Sequence, residues 1–202
     1  MSLTPVQKRI HLAAMELFAS RKAMEVNVSE LAEIAGVARG TIYNNLTSID
    51  TLFEDVASNL NDEMNQRIAK SFEVTTDAAQ RLANGIRFYV RRAHEEPIWA
   101  RFIVKYGPSN AALLKLWSGP PAQDLLMGLT QSRYRFPAEQ LPAVLAMVTG
   151  SVVMTIQLVL NGHRTWREAG ADTAELILRA IGVPQEDATR YVQADLPDLP
   201  ML

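Results

Sequence analysis

The chain has 202 residues, a formal net charge of −2, 48% hydrophobic and 21% charged residues, and no cysteine. That composition fits a globular protein with a substantial core, excludes disulfides, thiolate metal sites and cysteine nucleophiles, and offers no bulk attraction to nucleic acid. No basic segment followed by an apolar run opens the sequence, so no signal peptide is read and the cytoplasm is the expected compartment.

Residues 5 to 21 predict an amphipathic helix, with Ile10, Ala13, Ala14, Leu17 and Phe18 at helical spacing and Pro5 suited to the first turn. The stretch Asn27 to Asn45, NVSELAEIAGVARGTIYNN, then predicts two short helices around a tight corner. Asn27 can cap the first, with Glu30 three residues on. Leu31, Ala32 and Ile34 give it an apolar face. Gly36 suits a left-handed corner, where a residue without Cβ fits at little cost. Val37 and Ile42 have the spacing to pack the second helix back on the first. Arg39, Thr41, Tyr43, Asn44 and Asn45 are left on or near its outer face. Donors, acceptors and an aromatic hydroxyl are the groups that meet base edges and phosphates. With Asn27 they form the candidate DNA-binding set. Within residues 1 to 50, Lys8, Arg9, Arg21, Lys22 and Arg39 balance Glu16, Glu25, Glu30, Glu33 and Asp50. A neutral domain lacks the usual basic footprint of a DNA binder, although Lys8, Arg21, Lys22 and Arg39 have the freedom to share one face.

Thr47 and Ser48 offer the next cap, and Ile49 to about Phe72 reads as one long helix with Leu52, Phe53, Val56, Leu60, Met64 and Ile68 inward. Thr75 to Asp77 mark another start. Ala78 to Glu96 is predicted helical and stopped by Pro97. Residues 97 to 137 are cut into short helices by Pro97, Gly107, Pro108, Gly119, Pro120, Pro121 and Pro137. Gln140 to Gly162 holds no charged residue, and Ala143 to Leu160 approaches membrane-spanning length. Thr149, Gly150, Ser151, Thr155 and Gln157 dilute it. A helix buried between the core and a partner subunit is the expectation, with Gly150 and Ser151 permitting close approach. Asp172 or Thr173 is expected to cap a last helix, with Leu176, Ile177, Ala180 and Ile181 inward, Gly182 at its end and Pro184 beyond. Pro197 to Leu202 is expected to fray.

These pieces resemble the DNA-binding domain of the TetR family of bacterial transcriptional regulators. The matching motifs are R-I-x-x-A-A-x-x-L-F (Arg9 to Phe18), L-A-E-I-A-G-V (Leu31 to Val37), G-T-I-Y (Gly40 to Tyr43) and S-I-D-T-L (Ser48 to Leu52). Where the family usually caps the recognition helix with Ser or Thr, this chain has Ala38, which lacks a side-chain cap typically worth about 1 kcal/mol. Ile49 stands where the family usually has Lys. The resemblance implies an all-α fold, with a three-helix helix-turn-helix domain over residues 1–50 and a helical ligand-binding and dimerisation domain over 51–202. It implies a homodimer formed through the last two long helices, for which Ala143–Leu160 and Thr173–Ile181 are the candidates. Two recognition helices would then sit about 34–36 Å apart to read both halves of a palindromic operator. It also implies a small-molecule effector that releases the operator.

Candidate effector-lining residues are Trp99, Phe102, Tyr106, Trp117, Met127, Met147, Met154 and Gln157, because pockets are mostly apolar with a few polar anchors. No cofactor is expected. His11, His94 and His163 are scattered, and no phosphate loop, G-x-S-x-G elbow or H-E-x-x-H motif occurs. The expectation is a regulator, most simply a repressor, and not an enzyme. Two alternatives stay open: a protein of this fold that acts through protein contacts without an operator, and a helical enzyme.

Overall fold

The computed structural model describes residues 3–20, 26–72, 75–110, 113–114 and 119–199. Among them are ten α-helices, a single 3₁₀ turn and no strand. The chain divides into two compact units, Met1–Leu60 and Asn61–Leu202.

In the first unit, α1 (Pro5–Ser20) buries Ile10, Ala13, Ala14, Met15, Leu17 and Phe18, the face that the periodicity predicts plus Met15. Thr4 and Gln7 close its N-terminus reciprocally: Gln7 N–H donates to Thr4 Oγ1 at 3.2 Å and Thr4 N–H to Gln7 Oε1 at 3.0 Å. α2 (Val28–Ala35) and α3 (Arg39–Asn45) pack on α1 and on each other. Ile34 is 41% exposed, so Ala35 completes the buried face of α2 in its place. α4 (Leu52–Ser71) begins in this unit with Leu52, Phe53, Val56 and Ala57 in its core. Phe18 and Phe53 meet edge to face at 5.1 Å. α4 then runs on across the division between the units.

In the second unit, α5 (Ala78–Glu95) is the central helix, capped by Asp77, whose Oδ1 accepts from the N–H groups of Ala79 and Gln80. Pro97 both stops α5 and opens α6 (Pro97–Tyr106), since its missing N–H and fixed φ suit a first helical turn. α7 (Pro120–Thr130) starts the same way. α8 (Leu141–Leu160) follows a 3₁₀ turn, and with that turn it is long and apolar enough to cross a membrane by length and composition alone. Its Val144, Val148, Val152, Val153 and Ile156 are buried. Met147, Met154 and Leu158 are exposed on the opposite side.

α9 (Trp166–Ala180) corrects the predicted start at Asp172 or Thr173. Thr165 caps it in a full capping box with Glu168, and residues 172 and 173 lie inside the helix. Thr173 shares a hydroxyl bond of 2.7 Å with Thr155 of α8, and Asp172 pairs with Arg164. Ile177 and Ile181 face inward as expected, but Leu176, at 63% exposure, and Ala180 face outward. Gly182, with φ of 94°, ends the run. Pro184 does not only follow a helix: it caps a further one, α10 (Gln185–Gln193), which the sequence reading lacks.

Candidate functional site

The corner between α2 and α3 is built from three local devices. Gly36 takes φ of 62°, and its N–H and that of Val37 bond back to carbonyls in the last turn of α2. The Arg9 guanidinium, from α1, donates to the Ala35 carbonyl through Nε at 3.0 Å and Nη2 at 2.6 Å, and also to the Gly36 carbonyl. A cation on the last carbonyls of a helix complements its dipole. A Cβ at position 36 would lie 3.0 Å from Arg9 Nη2. Arg9 is therefore a clamp on the corner, a role that the motif R-I-x-x-A-A does not disclose.

α3 presents its outer face as the spacing predicts. Ile42 is fully buried, while Arg39, Tyr43 and Asn44 are exposed, Tyr43 to 65%. Thr41 and Asn45 are half-buried. The Asn45 amide donates to the Thr41 carbonyl at 2.9 Å. Asn27 is exposed, and its Oδ1 accepts from Ser29 N–H at 2.8 Å, so it serves as the cap of α2. Ala38 stands at the N-cap of α3 with no side-chain hydrogen bond, and its carbonyl accepts from the Thr41 N–H at 2.9 Å. Lys8 and Arg39 are exposed; Arg21 and Lys22 lie outside the described residues. His11 on α1 is half-buried, and burial lowers its basicity against the opposing pull of Asp55.

In the second unit, the expected effector residues disperse. Trp99 and Phe102 are fully buried in the core, with Arg92 stacked 4.7 Å over the Trp99 ring. Tyr106 and Met127 are half-buried. Met147 and Met154 point outward from α8 at 37% and 62% exposure. Gln157 is half-buried and donates to Asn161 at 2.8 Å. Trp117 lies outside the described residues.

A narrow cavity of about 30 Å³ opens elsewhere, and none of the seven described candidates lines it. Its walls are Ile68 and Phe72 at the end of α4, Ile86 and Tyr89 on α5, and Val148 and Val152 on α8. Asp124 of α7, 4% exposed, is its one carboxylate. Asp124 Oδ1 accepts from Arg81 Nε at 2.7 Å, and Arg81 lies 4.5 Å over the Phe72 ring. Burial pushes the Asp124 carboxyl upward in spite of Arg81, and it likewise raises the Tyr89 phenol. Beside the cavity, α4 is held to α5 and to the start of α6 by buried arginines: Arg92 bonds Glu63 at 2.9 Å and Glu96 at 3.0 Å, and Arg67 bonds Glu63 and Glu96.

Residues 10–56 match the family model described as bacterial regulatory proteins, tetR family, and residues 77–193 match that of the tetracyclin repressor-like C-terminal domain. The chain belongs to the TetR family. No curated protein matches the sequence. Among solved structures, RolR in complex with resorcinol is 25% identical, with a TM-score of 0.72 and 96% of each chain covered. FadR from Bacillus subtilis in complex with stearoyl-CoA is 18% identical, covering 86% of this chain and 98% of its own, with a TM-score of 0.72. A gamma-butyrolactone receptor, an ArpA-like protein, is 17% identical over 93% of both chains, with a TM-score of 0.66. The last two likenesses concern the fold alone.

Proposed function

We propose that this TetR-family regulator is a homodimeric, cytoplasmic repressor that binds a palindromic operator and is released by a small molecule. The observation that carries the reading is the outer face of α3: Arg39, Tyr43 and Asn44 stand exposed over a buried Ile42, at the end of a clamped Gly36 corner. Arg39 is assigned to a guanine edge or a phosphate, Thr41 and Asn44 to base edges, and Tyr43 and Asn45 to phosphates. Asn27 supports the interface as a cap at the N-terminus of α2, a position where backbone N–H groups favour phosphate.

Dimerisation is assigned to α8 and α9, whose exposed Met147, Met154, Leu158 and Leu176 form the apolar surface that a second copy covers. That assignment also accounts for the apolar length of α8 without a membrane. The effector is assigned to the second unit; of the similar proteins, RolR forms a complex with resorcinol and FadR with stearoyl-CoA. Effector binding displaces the end of α4 and so changes the half-site spacing. An effector shifts this equilibrium only by its difference in affinity between the two states.

The test is selection of random duplex DNA by the purified protein, followed by the salt dependence of affinity for the winner. An enriched palindrome with half-sites one helical turn apart is the expected result. The neutral first domain predicts a shallow salt slope. No enrichment at low salt, with the protein shown free of bound small molecules, sinks operator binding and favours the second reading, a TetR fold acting through protein contacts. Ala38 without a cap and Arg9 committed to carbonyls are the observations that keep that second reading in view.

A further inference from the structure

The helix that carries the exposed polar face has little of its own to hold it. α3 is seven residues long, buries Ile42, and has no side-chain cap at Ala38. A helix this short does not persist on propensity, so its direction is set by what fixes its two ends. α1 reaches both. At the far end Gln7 Nε2 stands 3.5 Å from the Asn45 carbonyl. At the near end the Arg9 guanidinium holds the corner from which α3 departs.

The carbonyls of that corner divide between two kinds of donor. Gly36 N–H returns to Ala32 and Glu33, and Val37 N–H returns to Ala32. The carbonyls of Ala35 and Gly36 accept from Arg9 instead. Nε and Nη2 converge on the Ala35 oxygen at 3.0 and 2.6 Å, and Nη2 also reaches Gly36. Serving two successive carbonyls takes a planar fork of donors, whereas an ammonium is a point charge on a flexible stem. With two of its three nitrogens committed to backbone, the group is poorly placed to hold a phosphate as well.

Gly36 is an independent sign of how close the fit is. A Cβ there would lie 3.0 Å from Arg9 Nη2, on a backbone whose φ of 62° already disfavours side chains. Gly36 is exposed, so water can replace the guanidinium at its carbonyl. Losing Arg9 therefore loosens the corner without unfolding the unit.

We propose that Arg9 is a positioning residue for operator recognition: from α1 it fixes the Ala35–Gly36 corner, and so the angle at which α3 presents Arg39, Tyr43 and Asn44, without touching DNA itself. The role rests on the operator-binding reading given above; the clamp does not. The test uses the full chain as wild type, Arg9→Lys, Arg9→Ala, Gly36→Ala and the Arg9→Ala/Gly36→Ala double variant. Each is measured by amide hydrogen exchange without DNA, and by affinity for the selected operator across a salt series. Arg9→Ala speeds exchange at Val37, Thr41 and Ile42 by roughly tenfold, while Ala14 and Leu17 in the core of α1 keep their wild-type rates. Operator affinity falls about tenfold or more for every sequence tested, with the salt slope and base preferences unchanged. Arg9→Lys recovers only part of the loss. Gly36→Ala lowers affinity by a smaller factor in the Arg9→Ala background than in wild type, because the group it crowds is gone.

A salt slope shallower by about one contact, with full recovery by Arg9→Lys, makes Arg9 a phosphate ligand and overturns the proposal. Unchanged exchange at Val37, Thr41 and Ile42 overturns it, as does Gly36→Ala costing the same factor in both backgrounds. Exchange quickened equally at Ala14 and Leu17 marks a general loss of the fold and overturns it too. Faster exchange confined to the corner, in a chain that selects no operator, sinks operator binding and the positioning role with it, while the clamp stands.

Discussion

Replacing Met154 and Leu176 together by alanine tests the assigned dimer face with little risk to the subunit. In the free chain these side chains are 62% and 63% exposed, so each buries only a little over a third of its surface within its own fold. They project from neighbouring helices, α8 and α9, which are joined by the Thr155–Thr173 hydroxyl bond. Fully burying a Met or Leu side chain contributes about 1.5–3 kcal/mol, so covering the exposed part adds about 1–2 kcal/mol per side chain. With two residues in each of two subunits, the sum is about 4–8 kcal/mol, or roughly a thousandfold or more in dimer dissociation. Alanine keeps part of that burial, so this is an upper figure. The subunit itself should lose little, because exposed substitutions usually fall within about 0.5 kcal/mol. Sedimentation across a concentration series reads the dimer, and circular dichroism confirms the helices. A dissociation constant changed by less than about threefold in a correctly folded double variant would refute the reasoning and move the interface off α8 and α9.

Further substitutions test the site and its scaffold. Arg39→Ala should cost about 1–3 kcal/mol of operator binding and relax specificity at one base pair if the guanidinium reads guanine; a uniform loss across sequences, read by competition binding, marks a phosphate contact instead. Ala38→Ser should stabilise the first unit by about 1 kcal/mol in chemical denaturation, by supplying the absent cap. Gly128→Ala should destabilise by a few kcal/mol on the scale of overpacked cores, because its Cβ would fall 1.9 Å from a carbon of the buried Tyr134 ring. For pH, His11 binds its proton less readily folded than unfolded. The unfolded chain then takes up more protons, so its contribution to stability is full above the ordinary histidine value of 6.5 and declines as pH falls through it. His11→Gln should flatten that decline between about pH 7 and 5; an unchanged slope removes histidine from the account.

The helix-turn-helix half of this protein was legible because its signals are local. A cap at Asn27, a left-handed glycine at position 36 and apolar anchors at Leu31 and Ile42 lie within a few turns of one another, and each acts where its spacing indicates. Arg9 was not legible as a clamp, since its partners lie 26 and 27 residues away on another helix. The start of α9 was missed for a different reason. Asp172 and Thr173 are good capping residues that happen to lie inside the helix, while the T-x-x-E signature at 165 to 168 was present and is the true cap. Pro184 reads as a stop from one side and as a start from the other. The cavity could not be foreseen, because four helices separated in sequence each bring a wall. Its one hint was Asp124, a lone charge in the apolar run PPAQDLLMGL.

The cavity borders the helix that crosses the division between the two units. Ile68 and Phe72 form its α4 wall, and α4 is one continuous helix whose first turns, through Leu52, Phe53, Val56 and Ala57, belong to the core of the first unit. A helix of 20 residues spans about 30 Å as a stiff rod. Its restraint is the Arg67 and Arg92 cluster, which ties α4 to Glu96 at the α5–α6 junction through charged hydrogen bonds. Removing one partner of these pairs leaves an arginine buried without its full compensation, so the cluster resists displacement of α4 relative to α5.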